Sequence, residues 1–204
     1  MLRLTDTLAV LGVSLVLCAG LLAMLTSWRV TRPHLTWIRS IVVLGFVMLW
    51  VPFGEAGIPA VAYVRGISAD LSITSVALAA MGIGRHLLAW RPIPNNEQIG
   101  VMAAVAAAAL FLYPLALGWG DFDAYRPGWG SWGMQFGLLA LCAACYAKGL
   151  LLLPALVALA LLAWSMGLME SGNLWDYLMD PWLSIFALGF VFLKCARYFF
   201  RRFI

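Results

Sequence analysis

Apolar residues run along this chain in long, nearly uninterrupted blocks, and polar residues collect in the gaps between them. The blocks fall at about residues 8–28, 37–51, 71–90, 99–117, 133–147, 150–169 and 181–200. Several come close to the roughly 20 residues a helix needs to cross the hydrocarbon core of a bilayer. The pattern predicts an all-α fold: a polytopic integral membrane helical bundle. It is a single transmembrane domain over residues 1–204 with about seven transmembrane helices.

The edges of the blocks carry further signals. Arg29, Arg32 and Arg39 follow the first block, whereas a cleaved signal peptide has its basic residues in front. The first block therefore reads as an uncleaved anchor with its N-terminus outside. Leu17 is too large for the small residue expected before a lipoprotein cysteine at Cys18. Pro52 ends the second block, because proline cannot continue the helical hydrogen-bond ladder. Residues 52–70 form a long connection whose middle, Ile58–Val64, is apolar but too short to span. It reads as an interfacial or re-entrant piece with Glu55, Arg65 and Asp70 at its edges. Asp70 is placed to cap the third span or favour its dipole, with Ser72 and Thr74 in the first turn. The fourth block has the core AAVAAAA, whose small side chains suit the interior of a bundle. Gly133 and Gly137 make a small-xxx-small step, Lys148-Gly149 reads as a turn, and Pro154 sits where a helix tolerates proline.

Charge orients the bundle. With seven spans and the N-terminus outside, inner segments hold Arg29, Arg32, Arg39, Arg85, Arg91, Lys148, Lys194, Arg197, Arg201 and Arg202. Outer segments hold only Arg3, Arg65 and Arg126, so the thirteen basic residues divide ten to three. That is the positive-inside bias, and it puts the C-terminus in the cytoplasm. Among the acids only Glu97 is inside, which leaves the outer surface negative. Composition agrees on the class: 64% hydrophobic and 11% charged is too little charge for a water-facing surface. The net charge of +4 is no nucleic-acid signal, because the charges separate by side.

The outer loops hold the candidate chemistry. The richest is GWGDFDAYRPGWGSW, residues 118–132, with two carboxylates, an arginine and several rings suited to the membrane–water boundary. Three loops combine acids with aromatics, and together they offer Glu55, Arg65, Asp70, Asp121, Asp123, Arg126, Glu170 and Asp176 as ligand- or partner-binding candidates. Arginine's planar fork suits phosphate or carboxylate, and Arg65 and Arg126 are the two basic groups near these acids. The blander alternative is that these charges cap helices, pair with each other and anchor the interface.

Catalytic signatures are thin. His34 and His86 both fall inside, which deprives an outer-face hydrolase of a histidine base. No HExxH, Gly-x-Ser-x-Gly, Walker-A or dinucleotide pattern occurs, and no cluster offers a metal or cofactor site. Asp121 and Asp123 form a short DxD, but its usual metal–nucleotide partner is found inside the cell. Cys142 and Cys145 form CAAC deep in the fifth span, where they read as small buried hydrophobes. Span centres lack the ionisable residues that mark transport pathways.

These features point to a noncatalytic subunit of the bacterial inner (cytoplasmic) membrane. It would bind a protein or a lipid-linked partner through its outer loops, in envelope biogenesis. Its expected partners are membrane lipid and a membrane protein or second copy. The alternative is an outer-leaflet transferase or polymerase acting on a lipid-linked glycan or phospholipid, with Arg65 and Arg126 on phosphate and Glu55, Asp121 or Glu170 as base. A third reading is a transporter subunit. Whether the chain is an enzyme stays open at this point.

Overall fold

The computed structural model describes residues 4–27, 35–55 and 57–203. Arg3, Trp28, Arg29, Arg32, Pro33 and His34 lie outside the described residues, as do the side chains of Arg201 and Arg202. The fold is all-α. The helices are α1 (Leu4–Ser27), α2 (Leu35–Trp50), α3 (Ala60–Ser68), α4 (Ile73–Leu87), α5 (Asn95–Ala116), α6 (Trp132–Ala147), α7 (Leu152–Ser165), α8 (Leu174–Leu178) and α9 (Pro181–Phe203). A 3-10 turn occupies Arg126–Trp129. Strands β1 (Pro52–Phe53) and β2 (Ile58–Pro59) make one small antiparallel hairpin, pairing Phe53 with Ile58.

Among the described residues three helices are long and apolar enough to cross a membrane: α1, α5 and the Pro181–Phe200 part of α9. They mark a membrane protein by length and composition. Helices α2, α4, α6 and α7 are apolar but only 14 to 16 residues long. Two of them stop earlier than the hydropathy pattern predicts, for local reasons. At the end of α4, the Leu88 and Trp90 amides both donate to Gly84 O, and Ala89 takes φ 56°. Trp90 then folds back over Gly84, where a Cβ would collide with its ring. Helix α7 ends where the Gly167 amide turns back to Trp164 O with Gly167 at φ 62°.

The chain divides into two compact units. The first holds residues up to Pro92 together with Leu168–Glu170. Its helices α1 and α4 approach closely at Gly12, where a Cβ would lie 2.9 Å from Val76 Cγ2. One buried cluster joins Val13 of α1, Val61 of α3 and Leu71, just before the cap of α4. Another joins Cys18 and Leu22 of α1 to Ile38 and Val42 of α2. The cap of α4 is Ser72, whose hydroxyl accepts from the Ser75 amide at 3.1 Å. Asp70, expected to serve that helix start, is turned to Arg65 instead.

The second unit holds Ile93–Gly167 and Ser171–Ile204. Its α5 buries Val101, Met102, Val105, Ala106, Ala109 and Leu112, so the alanine-rich span does face the interior, while Leu110 and Phe111 face out. Glu97, in the first turn of α5, accepts from the amides of Leu151 and Leu152 at 2.8 and 3.0 Å. A carboxylate thus caps α7 across 54 residues of sequence, satisfying donors that a helix start leaves orphaned. Helix α6 has no buried residue, and Gly133 and Gly137 meet no neighbouring helix. Their small-xxx-small step makes no close contact among the described residues.

Candidate functional site

In the first unit, Arg65 sits at the centre of a carboxylate cluster. Its Nε donates to Asp70 Oδ1 at 2.7 Å, its Nη1 to Asp6 Oδ1 at 2.9 Å and its Nη2 to Glu170 Oε1 at 3.1 Å. A longer contact of 3.5 Å joins Nη2 to Asp70 Oδ2. Local structure explains the geometry. Arg65 lies in the last turn of α3, Ala69 ends that helix at φ 57°, and the turn brings Asp70 back beside the guanidinium. Asp6 is the one acid in the first turn of α1. Hydrogen bonding to Asp70, followed by that to Asp6, raises the Arg65 pKa further above its ordinary value, with burial acting the other way. Three carboxylates occupy all three guanidinium nitrogens. An incoming phosphate would have to displace one of them.

Glu55 is exposed on the hairpin turn between Gly54 and Gly57, both at positive φ. It is not part of the Arg65 cluster, whose acids are Asp6, Asp70 and Glu170.

In the second unit, the loop before α6 is fastened to the loop around α8. Tyr125 Oη donates to Asp176 Oδ2 at 2.6 Å, and Ser171 Oγ donates to the same oxygen. Asn173 Nδ2 donates to Tyr125 O at 3.0 Å, and Trp175 Nε1 donates to Ala124 O at 3.1 Å. Trp164 Nε1 reaches Gly172 O at 2.8 Å, and Tyr177 Oη reaches Ser171 O at 3.1 Å. Gly128 is buried against this lattice; a Cβ there would overlap Asn173 Oδ1. Burial, then donation to Asp176, holds the Tyr125 hydroxyl pKa above its ordinary value.

The other candidates of this loop divide by role. Asp123 Oδ1 accepts from the amides of Tyr125 and Arg126 at 3.0 and 3.1 Å, the bonding of an Asx-type turn. Its carboxylate therefore shapes the 3-10 turn. Asp121 is exposed and lines an open groove of about 570 Å³ with Phe122, Asp123 and Tyr125. Arg126 is exposed, and its guanidinium makes no ion pair among the described residues. It lines a second groove, of about 440 Å³, with Phe122, Asp123, Pro127 and Trp129. Trp129 packs edge-on to Tyr125 at 6.4 Å between ring centroids, so the fastened loop also places that ring.

The structure thus brings Arg65, Asp70 and Glu170 together, and separately Asp121, Asp123, Arg126 and Asp176. Asp6, Ser171, Asn173 and Gly128 belong to these sites and were not among the sequence candidates. A signal existed for Asn173: a cap residue followed by Asp three positions later, just before a helix. For Asp6 the only signal is an acid in a first turn, which says nothing of a partner 59 residues away. Among the described residues no group of three or more His, Cys, Asp or Glu side chains is placed to hold a metal ion. No family model, curated protein or solved structure matches the chain.

Proposed function

We propose that this chain is a noncatalytic subunit of the bacterial inner membrane that binds a protein or lipid-linked partner through its outer loops, in envelope biogenesis. In this reading the chain has seven spans, an external N-terminus and a cytoplasmic C-terminus. The observation that carries it is the fastened loop pair of the second unit. Tyr125, Asp176, Asn173 and Trp175 spend their polar groups on holding the loops together. Arg126 stays exposed beside Trp129 and Phe122, without an ion pair among the described residues. A rigid platform with one uncommitted guanidinium suits recognition, since a preordered surface loses less entropy on binding.

Two further facts support the subunit reading over its rivals. The transferase reading needs Arg65 on phosphate, and that guanidinium already holds three carboxylates. A transporter pathway calls for ionisable groups at mid-span. In α1 and α5 the charged residues are Asp6 and Glu97, both in the first turn. Orientation draws support from the sorting of charge within the first unit: Asp6 and Asp70 meet on Arg65 at one end, while Arg39 donates to His86 O where α2 begins and α4 ends.

The test is purification from membranes with mass spectrometry of retained proteins and lipids, for wild type, Arg126→Ala and Arg126→Lys. Both variants should lose the partner while melting in detergent like the wild type. Lysine keeps the charge but not the planar fork. Full retention by both variants would remove Arg126 from the site and with it the main support for the reading.

A further inference from the structure

The hairpin 52–59 and α3 follow directly from the end of α2, and their outward surface is apolar. Val51, Phe53, Ile58, Tyr63 and Ile67 are all exposed, Ile67 at 85% and Tyr63 at 41%. Phe53 and Tyr63 stack across the hairpin and helix with ring centroids 5.0 Å apart. Helix α3 is sided. Val61 is fully buried and Arg65 turns toward Asp6 and Asp70, whereas Tyr63, Gly66 and Ile67 face away. Arg65 is the only charged residue of α3, so the outward face carries no charge.

Depth follows from the partners. Helix α1 has 24 residues and is about 36 Å long at 1.5 Å per residue, a little more than the hydrocarbon core. Its first turn, with Asp6, therefore reaches the headgroup level. Val61 shares a buried cluster with Val13, about 10 Å further along α1 at the same rise. Arg65 reaches Asp6 itself. Helix α3 thus climbs obliquely over the last ~10 Å of the core, the depth at which amphipathic helices sit. Helix α2 is only 16 residues, about 24 Å, which falls short of a ~30 Å core. The hairpin and α3 lie in the missing depth. The exposed apolar side of α2, with Val43, Leu44, Val47 and Met48, runs on into Val51 and Phe53 without a polar break.

We infer that the 52–68 element is a lipid-binding surface. Its outward face, centred on Tyr63 and Ile67, lies in the acyl–headgroup boundary of the leaflet on the Asp6 side and completes the crossing that α2 begins. Its occupant is phospholipid, with the Tyr63 hydroxyl at the polar edge. The segment is interfacial, and only its Glu55 turn meets water. This rests on the membrane reading of the spans and is independent of the Arg126 partner and of which side is outside.

The experiment uses the full chain with its four cysteines replaced, reconstituted in phosphatidylethanolamine–phosphatidylglycerol vesicles. An environment-sensitive fluorophore is placed at Ile67→Cys, Phe53→Cys or Glu55→Cys. Lipids brominated near the headgroup end of the acyl chain probe the membrane, and iodide probes water. At 67 and 53 bromolipid should remove most of the emission and iodide much less than at 55, with emission shifted to shorter wavelength. Iodide quenching at 67 as strong as at 55 would overturn the inference. So would a failure of bromolipid to quench at 67, which would mean water or protein covers the face. Because the vesicles hold only this chain and lipid, either result is separate from the outcome of the Arg126 retention test.

Discussion

Gly128→Ala tests whether the loops of the second unit are fastened as described. The backbone itself does not forbid alanine, since Gly128 sits in a 3-10 turn and is not at positive φ. The obstacle is packing. The new Cβ would overlap Asn173 Oδ1 and come within 2.7 Å of Asn173 Cγ and Trp175 Cδ1. Asn173 is 0% exposed, so it has no solvent to move into without breaking its bonds. Its Oδ1 accepts from the Trp175 amide at 3.0 Å and its Nδ2 donates to Tyr125 O at 3.0 Å. Losing both costs about 2 kcal/mol, and leaving one buried group unsatisfied raises the total to about 5 kcal/mol.

The helices can survive while the loops open, so the assay must be local. Hydrogen exchange at the amides of Ala124, Tyr125, Arg126, Gly128 and residues 173–177 reads opening directly. A loss of ~2 to ~5 kcal/mol corresponds to exchange about 30-fold to several thousand-fold faster. Gly133→Ala is the control: its Cβ would meet only Ser131 Oγ at 3.9 Å, and these amides should exchange as in the wild type. Removing the obstruction should also matter. In an Asn173→Ala background, Gly128→Ala should cost at least ~1 kcal/mol less than alone, because contacting residues do not add. Wild-type exchange rates in Gly128→Ala would refute the packing, and with it the idea of a preordered platform around Arg126.

Alkaline pH should loosen the same loops. The Tyr125 hydroxyl is held protonated in the fold, so the stability it contributes is intact below its unfolded pKa of about 10 and is lost as pH rises beyond it. Protection of the amides within residues 124–128, taken relative to the base-catalysed intrinsic rate, should fall above about pH 10 in the wild type, and Tyr125→Phe should remove that fall while starting from a weaker baseline. Topology is checked by single cysteines on a cysteine-free background: Ser131→Cys should react with an impermeant reagent in intact cells and Asn95→Cys should not. The reverse pattern would invert the proposed orientation.

Much of the fold could be read along the chain because helix-forming apolar blocks are a local property. The interior position of α5 followed from AAVAAAA, and the Lys148-Gly149 turn followed from glycine, found at φ 71°. Helix ends were less legible. Hydropathy runs on through Trp90 and Met169, but α4 and α7 stop at Leu87 and Ser165, because Ala89 and Gly167 adopt left-handed conformations that apolar character does not report. The hairpin 52–59 was missed because two-residue strands carry no period. Contacts over distance were invisible in principle. Glu97 caps α7 and Asp6 holds Arg65 only because packing sets them adjacent, 54 and 59 residues away.

Arg65 and Arg126 show why residue type and neighbouring charge do not by themselves name a binding residue. In the sequence Arg65 and Arg126 look equivalent: each lies in a loop with acids and a tyrosine. Folding separates them. Arg65 is held inward by α3, and its planar fork is filled from three directions by Asp70, Asp6 and Glu170. Removing it would leave three carboxylates close together, so its loss is a structural event, with no ligand needed to explain the outcome. Arg126 has two acids within five residues, yet Asp123 turns its Oδ1 to backbone amides, and Arg126 is left exposed. An attractive electrostatic environment thus makes a guanidinium less available to a ligand. What distinguishes Arg126 is a turn in which the neighbouring Asp123 turns one carboxylate oxygen to backbone amides, while the guanidinium makes no ion pair among the described residues.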